Sequence, residues 1–268
     1  MSAHLFVVDA FTDRAFAGNP AGVYVLAQDR DDRWLQNVAR EMNLSETAFL
    51  WGGPRAWRLR WFTPTVEVDL CGHATLASAH AIWEAGLAEP GAPLTFATKS
   101  GELRAGGRPG AIEMDFPAVP AVSAAPHPGL LEALGIGAAQ CRYTGRNRID
   151  SLLEIESETA LRALAPDFRK LASATQPDRG VIVTVRSESP SCDFVSRFFA
   201  PAAGIDEDPV TGSAHCCLGP YWAGRLGKTS LTGFQASARG GTVGVAVGPN
   251  GRVTLSGAAV TVSRGELV

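Results

Sequence analysis

Four short runs carry the residue types that proton chemistry needs. Glu46 stands in Leu44-Ser45-Glu46-Thr47-Ala48-Phe49-Leu50, a single carboxylate between a helix end and an apolar strand. A carboxyl group in an apolar pocket has a raised pKa and can both take and give a proton near neutral pH. A glutamate at a solvated strand edge does neither, and charged side chains are rarely buried unless paired. The sequence leaves both readings of Glu46 open. Cys71-Gly72-His73-Ala74 offers a thiol and an imidazole, Thr211-Gly212-Ser213-Ala214 offers two hydroxyls, and Asp208 precedes Pro209 as a second carboxylate. Each has an ordinary alternative: a histidine at a helix start caps the helix or satisfies a core carbonyl, and an aspartate before a proline fixes a turn.

The Cys71 and Thr211 runs are copies of one another. Thr211 stands 140 positions after Cys71, Gly241 stands 140 after Gly101, and Gly257 stands 140 after Pro117. Upstream, Phe199-Ala200-Pro201 follows Phe62-Thr63-Pro64 by 137, so three residues are inserted around Asp206-Glu207-Asp208. The chain therefore reads as a duplicated unit, with domains expected at 1–118 and 119–268 and a last strand free to return to the first. The Pro- and Ala-rich stretch 117–128 reads as the linker.

The elements that must position these residues follow from periodicity. Residues 4–11 read as a strand, Gly18-Asn19-Pro20-Ala21-Gly22 as a loop dense in turn formers, and residues 23–26 as a second strand. Trp34, Leu35, Val38, Ala39 and Met42 recur at helical spacing, with Asn43 as the stop. From Gly72 to Gly86 there is no charge before Glu84, so a helix there is apolar nearly all round and must be buried. The second copy repeats the arrangement from Gly212, where Gly219-Pro220 is expected to kink or shorten the helix. Buried helix starts leave N–H groups that a cap, water or an anionic ligand must satisfy. Strands are expected at 58–62, 94–98, 101–105, 112–116, 151–155, 180–185, 241–247 and 252–255, with helices at 130–134 and about 158–171. Each half is thus a mixed α+β unit round one buried helix.

Composition bounds the function. With 268 residues, 46 % hydrophobic residues and a formal net charge of −3, the chain has ample core and no basic face for nucleic acid. No apolar run approaches the roughly 20 residues of a membrane span, and Met1-Ser2-Ala3-His4 lacks the basic start of a signal peptide. Five cysteines, two adjacent, do not form a disulfide framework. A cytoplasmic protein with reduced thiols is expected. No metal is expected either: His80 lies two helical turns beyond His73, and His215, Cys216 and Cys217 are successive residues that point to different faces of a helix.

The stretches VDAFTDRAFAGNPAGVYVL, NLSETAFL, F-T-P-T-x-E-V-D-L-C-G-H-A-T and F-F-A-P-x-x-G-I-D-E-D-P-V-T-G-S-A-H resemble the PhzF family of phenazine biosynthesis-like isomerases. The resemblance runs from about residue 5 to about residue 267 and implies a diaminopimelate epimerase-like fold. That fold has two pseudo-symmetric domains, each a β-barrel-like sheet wrapped round a central helix, with the active site in the cleft between them. It implies Glu46 as catalytic acid/base, with His73, Asp208 and Ser213 around the substrate. Gly72, Ala74, Gly212 and Ala214 mark the helix starts that would bind the substrate's carboxylate group. It also implies cofactor-free isomerisation of a small cyclic carboxylic acid by a homodimer, the alternative being a non-catalytic small-acid binding or regulatory protein on the same fold. Epimerases of this fold use two facing cysteines. Here Thr211 occupies the position matching Cys71, and Cys216 lies five residues further on, so two-base epimerisation is disfavoured and a one-carboxylate shuttle through Glu46 is preferred.

Overall fold

Alternating side chains and turn residues set the order of elements in the computed structural model of the protein, which describes residues 3–53, 56–108 and 110–267. The chain begins with β1 (Ala3–Ala10), β2 (Asn19–Val25), α1 (Asp32–Met42), β3 (Glu46–Gly53), β4 (Ala56–Phe62), β5 (Glu67–Val68) and α2 (Gly72–Glu84). It continues through β6 (Leu94–Thr98), β7 (Gly101–Arg108), β8 (Ala111–Pro117), β9 (Val122–Ser123), α3 (Leu130–Leu134), β10 (Cys141–Arg146) and β11 (Asp150–Ile155). Then come α4 (Glu158–Arg162), α5 (Phe168–Ala174), β12 (Gly180–Arg186), β13 (Phe194–Phe199), α6 (Gly212–Leu226), β14 (Ser230–Gln235), β15 (Gly241–Val247), β16 (Arg252–Gly257) and β17 (Ala259–Leu267). Two compact units result: the described residues up to Phe116 together with those from Thr254 onward, and Pro117–Val253.

In the first unit β1 lies between β17 and β2, antiparallel to both, and β2 continues in parallel register to β3, with Ala21 opposite Glu46. β3 pairs antiparallel with β4, and β4 leads through β6 to β7 and β8. α2 packs against β1, β2, β3, β7 and β17, so strands surround it. That placement explains its composition: ten of its thirteen residues are buried, among them Leu76, Ile82 and Trp83, and the buried hydroxyls of Thr75 and Ser78 donate to the carbonyls of Cys71 and Ala74. Each such large apolar side chain contributes about 1.5–3 kcal/mol by leaving water. α1 covers the other face of the sheet, setting Leu35, Val38 and Ala39 against Tyr24, Phe49 and Phe62. Asp31 caps its start by accepting from the Trp34 N–H at 2.9 Å, and Asn43 ends it in the left-handed region at φ 50.

The second unit is built the same way. β11 and β12 run parallel, β12 and β13 antiparallel, β13 and β14 parallel, and β14 and β15 antiparallel. α6 packs on β14 and β15, and its Trp222 donates to the Thr184 hydroxyl of β12 while stacking on Phe194 of β13. The helices α3, α4 and α5 cover the opposite face, with Leu130, Leu134, Leu161 and Leu171 packed on Val181, Val183, Val195 and Phe199. Strands covered on both faces need no alternation, and β11 and β13 are buried at every residue.

Three sequence expectations are corrected. The turn-forming run from Asn19 to Gly22 is strand, because its backbone pairs with β1 on one side and β3 on the other. The helix expected over 158–171 is two helices, separated at Pro166 and started by independent caps, Ser157 accepting from Ala160 N–H and Asp167 from Lys170 N–H, each at 3.1 Å. α6 is not shortened at Pro220 and reaches Leu226. The carbonyl that Pro220 cannot bond, that of Cys216, instead accepts from the Val119 N–H at 3.0 Å.

Candidate active site

Glu46 opens β3, and His73 is the second residue of α2. The two side chains meet: His73 Nε2 lies 3.4 Å from Glu46 Oε2, an electrostatic contact outside hydrogen-bond geometry. His73 is 5 % exposed and burial drives its pKa down to about 3, so at neutral pH the contact joins a carboxyl group to a neutral imidazole rather than forming a salt bridge. The Glu46 side chain is 14 % exposed, enclosed on most sides and still open to a ligand. The solvated-edge reading of Glu46 therefore fails on its environment.

The other edge of the imidazole is held from β2. Asn19 Nδ2 lies 3.2 Å from His73 Nδ1, and Ser45 Oγ donates to Asn19 Oδ1 at 3.3 Å. Cys71 Sγ stands 3.5 Å from the same Nδ1. Asn19, fully buried, escaped the sequence reading because Asn before Pro in a Gly-rich run is the ordinary composition of a turn. The only sequence signal for it was its place in the motif with Gly18. Gly18 itself is required: its φ is +64, and a Cβ there would lie 2.2 Å from the Ala10 carbonyl oxygen.

Donor atoms of Glu46, Cys71 and His73 fall within 4.8 Å of one another, a spacing that metal sites share. Cys71 Sγ approaches Nδ1 and Glu46 Oε2 approaches Nε2, so the two contacts use different nitrogens of one imidazole. Gly72 and Ala74 flank His73 in the first turn of α2, whose start Cys71 does not cap with its side chain. His80 faces elsewhere, toward Thr261 and Glu84 of the same unit, so it is no partner of His73.

The second unit gathers the remaining expected residues into two separate groups. Asp208 Oδ2 accepts from Thr211 Oγ at 2.6 Å, and Gln235 ties both, its Nε2 donating to the Asp208 carbonyl at 2.7 Å and to Thr211 Oγ at 3.1 Å. Ser213 instead accepts from Arg179 Nη2 at 2.9 Å. Arg179 is in turn held by Asp150, whose carboxylate is fully buried and whose pKa burial pushes upward. Neither Arg179, Asp150 nor Gln235 stands in a run that reads as chemical, and only the fold brings them to the start of α6. Gly212 and Ala214 flank Ser213 there, again without a side-chain cap from Thr211. His215 sends Nδ1 to the Thr211 carbonyl at 2.8 Å, and burial lowers its pKa to about 4. Burial raises the Cys216 thiol to about 12, which makes it a poor source of thiolate.

The α+β fold of strands about two apolar helices is shared with solved PhzF-family structures and, as a fold alone, with a Pseudomonas aeruginosa protein described as a predicted epimerase. The sequence pattern of the phenazine biosynthesis-like proteins, PhzC-PhzF, matches residues 8–265, and the chain belongs to that family. A protein of Halalkalibacterium halodurans named as an uncharacterized isomerase is 53 % identical, covering 100 % of this chain and 99 % of the relative. The human phenazine biosynthesis-like domain-containing protein is 40 % identical over 100 % of this chain and 99 % of its own. The crystal structure of a PhzF-family protein from Enterococcus faecalis superposes with a TM-score of 0.93 at 39 % identity, over 100 % of both chains. No helix among the described residues is long and apolar enough to cross a membrane.

Proposed function

We propose that the protein is a cofactor-independent isomerase that relocates a proton, and with it a double bond, in a small cyclic carboxylic acid, using Glu46 as the acid/base. The observation that carries this reading is the Glu46 carboxyl group, largely enclosed and 3.4 Å from a neutral histidine. Glu46 takes the proton from one carbon of the substrate, the electron pair of that C–H bond moves along the conjugated system, and the protonated Glu46 returns the proton to another carbon. Atoms and charge balance without a further reactant. A positioned acid/base of this kind accelerates reaction by about 10²- to 10⁴-fold; binding and oriented dipoles supply the remainder.

Isomerase names among the relatives support this reading, and the thiols argue against two-base epimerisation. Thr211 stands where a second cysteine would have to be, and its hydroxyl is engaged by Asp208. We carry Asp208 and Ser213 as substrate-contacting groups, and the first turns at Gly72, Ala74, Gly212 and Ala214 as carboxylate-binding backbone, on the strength of the family resemblance. The same resemblance supports a homodimer.

Solvent deuterium incorporation into a panel of cyclic, unsaturated carboxylic acids tests the mechanism. Exchange with the wild type and its loss in Glu46→Gln is the expected result. Exchange that persists in Glu46→Gln sinks the mechanism, and tight binding of an acid that never exchanges would favour the binding-protein alternative.

A further inference from the structure

We propose that Asn19 is a positioning residue that fixes the tautomer of His73, holding Nδ1 as an acceptor so that the ring's single proton sits on Nε2 and faces Glu46. The hydrogen bond at Nδ1 carries the assignment, and the contact at Nε2 is compatible with it. On one edge, the amide nitrogen of Asn19 lies 3.2 Å from Nδ1, and an amide nitrogen only donates, so Nδ1 must accept. Its carbonyl end accepts from the Ser45 hydroxyl at 3.3 Å. On the other edge, Nε2 lies 3.4 Å from a carboxylate oxygen. That approach lies outside hydrogen-bond geometry, so the Nε2 proton sits beside Glu46 without a hydrogen bond to it. The Cys71 thiol, 3.5 Å from Nδ1, is a weak donor on the same side as Asn19 and does not oppose the assignment.

Burial gives this arrangement its force. Asn19 is fully buried and His73 nearly so, so water cannot interchange the tautomers by offering an alternative partner. Backbone pairing fixes the donor as well: Asn19 is the first residue of β2, held opposite Ala10, and the obligatory Gly18 precedes it. The consequence for catalysis rests on the proposed role of Glu46: an Nε2–H donor adjoins the carboxyl group that moves the proton. The tautomer itself does not depend on any activity.

Long-range ¹H–¹⁵N correlation spectra of the ¹⁵N-labelled full chain, recorded without substrate at pH 7, read the protonation of each imidazole nitrogen. The His73 signals are identified by their loss in His73→Gln. The expected wild-type result is a single form protonated at Nε2. Asn19→Asp replaces the donor by an acceptor and is expected to protonate Nδ1, as the other tautomer or as the imidazolium. The remaining four histidines report whether the variant is folded. If Asn19→Asp does not fold, Asn19→Ala serves, with a measurable Nδ1-protonated fraction expected, while Cys71→Ala leaves the wild-type form. A wild-type His73 protonated at Nδ1, or a folded Asn19 variant that keeps the pure Nε2–H form, overturns the proposal. So does a change of tautomer in Cys71→Ala with none in Asn19→Ala.

Discussion

His73 Nε2 stands 3.4 Å from Glu46 Oε2 inside the first unit, and burial keeps the imidazole neutral. A histidine with a pKa near 3 does not titrate where enzymes are assayed. The pH profile of kcat/KM for the isomerisation is therefore expected to lack an imidazole limb near 6.5. Replacing His73 by Gln should lower the rate without changing the profile's shape. A limb near 6.5 that vanishes in His73→Gln would contradict the neutral assignment.

Acid stability should expose the buried histidines. Burial depresses His73 to about 3 and His215 to about 4, and lowers His80 as well. The unfolded chain therefore binds more protons than the folded one below about pH 6.5. Their contribution to stability is fully present above that value and is lost as pH falls toward the folded pKa values. Denaturant unfolding between pH 6.5 and 4.5 should lose up to about 1.4 kcal/mol per pH unit for each of His73 and His215. His215→Asn should flatten that slope, and an unchanged slope would assign the loss to other groups.

Gly18→Ala should be costly although the change is one methyl. At φ +64 a side chain is strained, and the new Cβ would lie 2.2 Å from the Ala10 oxygen and 2.7 Å from Thr12 Cγ2. A loss of about 1–3 kcal/mol is expected by thermal or denaturant unfolding. Gly53→Ala is the control, since nothing lies within 4 Å of a Cβ there and its φ is not positive.

Arg179→Met should strand a buried charge. Asp150 is fully buried and receives two hydrogen bonds from Arg179, at 3.0 and 2.7 Å. Removing the arginine should cost about 2 kcal/mol, toward the low side for a broken buried pair because the arginine is partly exposed. Adding Asp150→Asn should recover much of that loss, and a double-mutant cycle measured by urea unfolding decides it. Additive losses would mean that the pair carries no coupling.

The reach of sequence reasoning differed sharply between neighbouring residues. Glu46 and His73 were legible because they stand in motifs at element starts. Asn19, which touches His73, was not, because Gly18-Asn19-Pro20 has the composition of a turn and only pairing with β1 and β3 draws it into a strand. Pro220 shows the same gap. Local chemistry says that proline interrupts a helix, but the Val119 N–H, about a hundred residues earlier in the chain, satisfies the carbonyl that the proline leaves without its usual partner. Pro166, with no comparable rescue among the described residues, does separate α4 from α5.

The sequence by itself determined the duplicated pattern, the two apolar helices, the family, and the absence of a second cysteine at Thr211, because periodicity and composition are local properties that survive without coordinates. The tertiary structure decided which polar groups share an environment. His73 acquires its neutrality from burial, its Nδ1 partner from a residue 54 positions away, and its Nε2 neighbour from the next strand. Ser213 likewise receives Arg179 from 34 positions away. Hydrogen bonding and desolvation act through space over a few ångströms, and chain separation carries no record of which groups the sheets will bring that close.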